Sequence, residues 1–568
     1  MNRTWCDRAQ PEEIQSMTAT ALAVRRPDGG TPDSSAARQL RIGLEYYTAG
    51  RIDEAIAAYR CGLAAVASEP SGCVPAETVS ELHSKLGNAC MLRGDLELAA
   101  EHYRAALRLA PHLTFCWCNL GNVYLKSARP QEAVALYVQA LTLDPGHWPS
   151  RTNLVQALMV TRQHLLAKLL LMELLGERPQ DAQIHNLLGK LHFELNEPEC
   201  ALEYLQQAVI LNPSDSDSIY WIGGIKQRIG ETEAAEAAYA EAAHIQPLIR
   251  RPAAKFPAEF RVLALFAPFA GNMPTGYLFK DSAYDIDTLA IFASSEYDLE
   301  LLRQDVQVVV NLVSDADQAE ALLPLAAGLV AGFDKPTVND PRKIRRTTRD
   351  AVADLLEGIA GCRIPKVWRQ KAGAGFSVAA VQAALPSSSC ILIRPVGTHG
   401  GDDFEKVESE IELTAALAQR PATDRYLIEY VDYRSTDGYF RKYRFIFVDD
   451  RILPYHLAIA ADWKVHHDST DMVDHQWMQR EEEAFLNNPA AVFNAGHYQV
   501  LRTIQQRVDL EYFGIDCGLD RSGNLVVFEV NASMLVHEDN EEFPYKAPFV
   551  LRIKQAFDQM LRKLAVGR

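Results

Sequence analysis

The chain is 568 residues long, 48% hydrophobic and 23% charged, with a formal net charge of −17. That length exceeds what one hydrophobic core serves, so at least two domains are expected, of ordinary globular composition. The acidic balance argues against a general nucleic-acid or anionic-membrane binder, and no apolar run approaches a bilayer span or a signal-peptide core. Ten cysteines are scattered without paired ligand spacing. Cys116 and Cys118 sit inside a helical pattern and read as buried free thiols. Together these features point to a reducing, cytoplasmic setting. Residues 1–35 are polar, without periodicity, and read as a disordered N-terminal segment.

From residue 36 to 250 the chain repeats itself. Gly87, Gly121, Gly189 and Gly223 fall on a 34-residue step. The same step carries Ala99, Ala133, Ala167, Ala201 and Ala235, and also Pro111, Pro145, Pro179, Pro213 and Pro247. An earlier copy holds Gly43, Tyr46, Gly50, Ala55 and Tyr59, displaced by an insertion around Ser68–Glu77. The fourth copy has Val155 where the others have glycine. Small residues where two helices touch, aromatics such as Tyr103, Tyr137 and Tyr239 in the second helix, and a closing proline resemble the tetratricopeptide repeat. Trp117, Leu120, Gly121 and Tyr124 give the fullest single match. The resemblance implies about six helix pairs stacked as an all-α solenoid, whose groove takes a peptide or protein partner.

Arg250 to Phe260 breaks the helical pattern with two prolines and reads as a linker. Beyond it, strands are expected at Arg261–Pro268 and Asp305–Val313, with a helix at Asp317–Gly332, giving an α/β subdomain over 260–340. The remainder, 341–568, mixes elements. It has a helix at Ile344–Gly361, strands at Cys390–Val396 and Tyr426–Val431, mixed structure from Tyr439, and a last helix near Pro548–Leu564.

The segment Tyr512–Met534 carries the clearest chemistry. Two β-rich runs flank Ser522–Gly523, and a tight turn there would set Asp516 directly opposite Glu529, with Asn531 on the same face. Two facing carboxylates repel unless a cation compensates, and these hard oxygen donors suit Mg²⁺ or Mn²⁺. The Asp, Glu and Asn at this spacing resemble the metal-binding hairpin of the ATP-grasp superfamily, in the subset that includes D-alanine–D-alanine ligases and ribosomal-protein glutamate ligases. That resemblance covers about residues 260–568 and implies an α+β ATP-grasp catalytic domain that binds ATP and Mg²⁺.

Other segments follow the order of parts in that family. Ile391 to Gly401 resembles the strand and glycine-rich loop over the phosphates. Arg394 stands where the family has lysine, followed by Gly397, Gly400 and Gly401. Tyr426–Val431 resembles the hinge strand at the adenine edge, which implicates Glu429 and Val431, with Asp432 or Asp437 for the ribose. The basic cluster Arg342, Lys343, Arg345, Arg346 and Arg349 lies near the place of a second phosphate-binding lysine. Arg444 matches an arginine beside the transferred phosphate. One of His466 and His467, or Lys464, is a candidate for substrate contact, as is His537.

The resemblance implies an ADP-forming carboxylate–amine ligase working through an acyl phosphate, with carboxylate and amine substrates of unstated size and a partner held by the repeats. Two alternatives remain open at this point: an ATP-grasp kinase, and a repeat scaffold that holds nucleotide without turnover.

Overall fold

The computed structural model describes residues 34–68, 74–254, 256–269, 271–292, 297–373, 378–385, 390–398, 403–419, 423–465, 470–537 and 542–567. The chain divides into two compact units between Glu259 and Phe260. The expected disordered segment therefore lies outside the described residues, apart from Ser34 and Ser35.

In the first unit twelve described helices form six antiparallel pairs. The pairs are Ser35–Thr48 with Ile52–Ser68, Ala76–Arg93 with Leu96–Leu109, Thr114–Lys126 with Pro130–Leu143, Trp148–Val160 with His164–Glu177, Ala182–Glu194 with Pro198–Leu211, and Ser216–Arg228 with Thr232–Ile245. A short strand, β1 (Leu248–Arg251), follows.

The 34-residue signature has a direct packing cause. A Cβ on Gly121 would stand 2.6 Å from Tyr137 Cε1, and one on Gly87 2.9 Å from Tyr103 Cε1, so the tyrosine ring occupies the space a side chain would need. In the fourth pair Val155 fills that space itself, and Leu171 stands in the tyrosine's place, both fully buried. The inserted residues mostly lengthen helices. Ile52–Ser68 and Ala76–Arg93 have 17 and 18 residues, against 14 and 13 in the third pair.

The second unit holds three sheets. Strands β2 (Arg261–Phe266), β3 (Asp285–Ala290), β4 (Val308–Asn311) and β5 (Thr337–Val338) run parallel in the order β3-β2-β4-β5. The expected helix begins only at Leu323 and runs to Phe333. Before it the chain turns about Asp315, whose Oδ1 accepts from the backbone N–H of Asp317 and Gln318, each at 2.9 Å.

An antiparallel sheet follows, from β7 (Val367–Gln370), β8 (Ile391–Pro395), β9 (Glu405–Val407) and β10 (Arg425–Glu429) in the order β7-β10-β8-β9. Its apolar face packs on helices Val378–Ala384 and Glu410–Gln419. The third sheet joins β6 (Cys362–Arg363), β11 (Phe440–Val448), β12 (Arg451–Ala460), β13 (Tyr512–Leu519) and β14 (Leu525–Asn531) in the order β12-β11-β13-β14-β6. The C-terminal helix, Ala547–Val566, shares one core with this sheet and the parallel one, through Phe557, Ile553, Val310 and Tyr512.

The helix expected over Ile344–Gly361 is shorter, Arg349–Leu356. Thr348 caps it and the positive-φ Gly358 follows its end. The basic cluster that precedes it is therefore not one helical face.

Candidate active site

Strand β13 is buried on both sides, and β14 pairs with it so that Asp516 faces Glu529 and Gly514 faces Asn531. The expected pairing is present, but the turn is not the expected two-residue one. Leu519 pairs with Leu525 across a five-residue connection in which Asp520 Oδ1 accepts from the N–H groups of Ser522 and Asn524. A bulge between that end and Asp516 inserts Phe528 and restores the carboxylate register.

The row continues into the neighbouring strands. Arg444 on β11 stands opposite Asp516, and His456 on β12 stands opposite Arg444. One face of the sheet thus carries His456, Arg444, Asp516 and Glu529 across four strands.

Charge is arranged tightly along this row. Arg444 donates to Asp516 through Nε at 2.7 Å and Nη2 at 3.0 Å, and Lys442 Nζ lies 3.2 Å from Asp516 Oδ2. Burial alone would raise the Asp516 pKa, but these two cations pull it far below the usual carboxylate range. Glu529 meets Arg349 Nη2 at 3.1 Å, and Asn531 Nδ2 donates to Glu529 Oε1 at 3.2 Å. Asn531 Oδ1 accepts from Ser533 N–H at 2.7 Å. Two carboxylates and an amide on one face are an oxygen set suited to a hard divalent cation.

Glu529 and Asn531 line an open cleft of about 400 Å³, with Arg349, Thr347, Asp315, Asp317, Gly397 and Thr398. Of the five basic residues singled out from sequence, only Arg349 reaches it. Arg342 pairs with Asp340 at 2.5 Å, Lys343 with Asp509 at 2.9 Å, and Arg346 donates to the Arg507 carbonyl.

Arg394 lies at the end of β8, only 6% exposed. Its Nη2 donates to the Thr398 carbonyl and hydroxyl, while its Nε has no hydrogen-bond partner among the described residues. Burial, aided by Arg349, lowers its pKa to about 10, against the opposing influence of Glu529 and Asp317. Gly397 follows with φ +77°, a conformation that favours glycine. Gly400 and Gly401, like His466 and His467, lie outside the described residues.

A second, more apolar hollow of about 370 Å³ shares Arg349, Glu529 and Val530 with the first and adds Ile364, Val367, Ile428 and Phe528. Glu429 ends the buried strand β10 beside it, accepting from Arg363 Nη2 and from Lys366 N–H, each at 3.1 Å. Val431 is buried two residues on. Asp432 and Asp437 are bound by Arg434 and Arg441 respectively.

Sequence reasoning missed the group at the other end of the row. Glu482, from helix Gln476–Asn487, is fully buried against His456, lies 3.2 Å from Lys546 Nζ, and accepts from Tyr545 OH at 2.6 Å. Lys546 Nζ is also 2.9 Å from His456 Nδ1. Burial keeps His456 neutral, with a pKa lowered to about 4. These partners come from three elements far apart in the chain, and no local pattern announces them. His537 is placed by its backbone N–H, which donates to Tyr455 OH at 2.8 Å.

Comparison with known proteins gives family models that fall in the first unit. Models of the tetratricopeptide repeat match residues 78–145, 124–191 and 186–248. The bovine BBSome complex member BBS4 is 22% identical over 345 residues, 54% of this chain and 60% of that protein. Human protein O-mannosyl-transferase TMTC1 is 28% identical over 130 residues, 23% of this chain and 15% of that protein. The chain spans less than two thirds of either relative. Among solved structures, MamA from Desulfovibrio magneticus RS-1 is 22% identical, with 29% of this chain and 94% of that chain covered at a TM-score of 0.27. The helical array is a tetratricopeptide-repeat solenoid, of a kind that commonly serves protein–protein interaction. No described helix is long and apolar enough to cross a membrane.

Proposed function

We propose that the second unit is an ATP-grasp ligase that joins a carboxylate to an amine, releasing ADP and phosphate, and that the repeat array recruits a peptide or protein carrying one of the substrates. The observation that carries this reading is the facing pair Asp516 and Glu529 with Asn531, beside the incompletely satisfied, buried guanidinium of Arg394. Fixed cations such as Arg349 and Arg394 next to hard oxygen donors suit a polyphosphate bound with a divalent metal.

In this reading Asp516, Glu529 and Asn531 would hold Mg²⁺ (or Mn²⁺), which would supply charge neutralisation at the phosphate oxygens. Arg394 and Arg349 hold phosphate, Gly397 allows close backbone approach, and the hollow beside Ile428, Glu429 and Val431 takes the adenine. Arg444 steadies the transferred phosphoryl group on the substrate carboxylate, and the amine then displaces phosphate. The work is positioning and charge stabilisation, so no nucleophile from the protein is needed.

A second reading is favoured by one observation: Asp516 is already neutralised by Arg444 and Lys442. A scaffold that binds nucleotide without turnover would keep that arrangement. Calorimetry with MgATP on the wild type and on Glu529→Gln tests the site, with Arg342→Met as a control that leaves the cleft intact. Binding lost in Glu529→Gln alone, followed by hydroxylamine trapping of an acyl phosphate, supports the ligase. Binding without ADP release under a broad screen of amines and carboxylates supports the scaffold. ADP release with phosphate retained on a hydroxyl product would mark a kinase.

A further inference from the structure

The turn inside the fifth helix pair gathers three side chains of metal-ligand type. His192 lies in the last turn of Ala182–Glu194, Glu197 caps Pro198–Leu211, and Cys200 lies in the first turn of that second helix. His192 Nδ1 stands 2.5 Å from Glu197 Oε2. With Cys200 Sγ these ligand atoms all lie within 4.8 Å of one another. The turn that brings them together is firmly held. Asn196 takes a φ of +61°, Glu197 N–H donates to the His192 carbonyl at 2.9 Å, and Arg228 Nη2 donates to Asn196 Oδ1 at 2.7 Å.

The repeat itself does not require this trio. At the place of His192 other repeats carry Tyr124, Leu158 and Lys226, and at the place of Cys200 they carry Glu132, Leu166 and Ala234. His192 is only 4% exposed, with its ring stacked on Tyr204 at 5.2 Å between centroids. Its Nε2 has no hydrogen-bond partner among the described residues. Burying an imidazole in this way, where a leucine serves elsewhere, works against stability, and a ligand role accounts for it. Glu197 and Cys200 are exposed, so the cluster opens to solvent on their side.

We propose that His192, Glu197 and Cys200 bind one divalent transition cation of the zinc type. Imidazole nitrogen and thiolate sulfur favour such a cation over Mg²⁺ or Ca²⁺, which prefer oxygen donors. Zinc–ligand bonds of about 2.0–2.3 Å place tetrahedral ligand atoms about 3.3–3.8 Å apart, so the His192–Glu197 contact opens by about 1 Å, a change that rotation of the exposed Glu197 side chain supplies. Water takes the fourth position. The ring proton that faces Glu197 moves from Nδ1 to Nε2, where no hydrogen bond is lost, and the Cys200 thiol proton leaves to solvent. The ion ties the two helices together across their turn. None of this depends on what the second unit catalyses.

The test titrates the full chain with Co²⁺ in excess Mg²⁺, which competes for the hard oxygen set at Asp516, Glu529 and Asn531. One equivalent is expected to bind with a near-ultraviolet sulfur-to-cobalt charge-transfer band, which Zn²⁺ then displaces. Cys200→Ser should lose the band, whereas Cys61→Ser, at another exposed cysteine, should keep it. His192→Leu copies the residue at Leu158, so it should fold with an undiminished thermal midpoint while binding Co²⁺ at least about tenfold more weakly. A band that survives Cys200→Ser, Co²⁺ bound without a sulfur band, unchanged affinity in His192→Leu, or no binding by the wild type overturns the proposal.

Discussion

Arg394→Met is expected to stabilise the second unit while abolishing its response to MgATP. The folded chain holds the Arg394 proton less firmly than the unfolded chain does, with a pKa of about 10 against an ordinary 12.5. The charged form therefore opposes folding at every pH below about 10, and that opposition fades as pH rises through this value. At neutral pH the difference is worth about 3 kcal/mol. Against it stand the hydrogen bonds to Thr398, worth about 1 kcal/mol, and the guanidinium over the Phe404 ring, worth about 0.5–1 kcal/mol. The net gain on removing the charge is about 1–2 kcal/mol, a rise of about 2–3 °C in melting temperature for a unit of this size. Thermal unfolding with and without MgATP reads both effects. A wild type saturated at about a hundred times its Kd should gain about 2.7 kcal/mol, and Arg394→Met should gain nothing. A variant that melts below the wild type, or that keeps the MgATP shift, would refute the view of this residue as a cation held ready for an anion.

In the array, Gly121→Val should cost about 2–3 kcal/mol, because its Cβ would meet Tyr137 Cε1 at 2.6 Å. Adding Tyr137→Leu should recover most of that, copying the Val155 and Leu171 pair, and urea midpoints of the two variants check it. Acid sensitivity should track Glu482. Burial raises its pKa, but His456, Lys546 and Tyr545 more than offset this and leave it at about 2. Its stabilisation is present above the ordinary carboxylate value of 4.5 and is lost as pH falls from there toward 2. His456 adds to this: it resists protonation down to about 4 while the unfolded chain takes up a proton from 6.5 downward, which also favours unfolding in acid. Denaturation midpoints measured from pH 7 to 3 should fall less steeply below pH 4.5 in Glu482→Gln than in the wild type; equal slopes would remove Glu482 as the cause.

Much of the array was legible because each repeat is stabilised by neighbours close in sequence, so a glycine and its tyrosine recur at a fixed step. The facing of Asp516 and Glu529 was legible for a less secure reason. A two-residue turn without a bulge and a five-residue turn with one give the same pairing at that position, so the expectation was met by a different route. Arg349 could not be separated from Arg342, Lys343, Arg345 and Arg346, since the capped turn at Thr348 decides which of them reaches the cleft. Short strands such as Glu405–Val407 and Thr337–Val338 carry too few residues for alternation to register. Likewise Glu482, His456 and Lys546 meet only through tertiary packing.

The bulge at Phe528 makes the spacing of the hairpin a quantity that can be broken without touching Asp516, Glu529 or Asn531. Side chains on a strand change faces with every step, so losing one residue from the connection between Leu519 and Leu525, or flattening the bulge, would slide Glu529 off its place opposite Asp516 and turn its carboxylate toward the other face. A chain whose Asp, Glu and Asn were all retained would then be inert at this site. When this protein is compared with others of similar sequence, the number of residues between Asp516 and Glu529 is as informative as their identity.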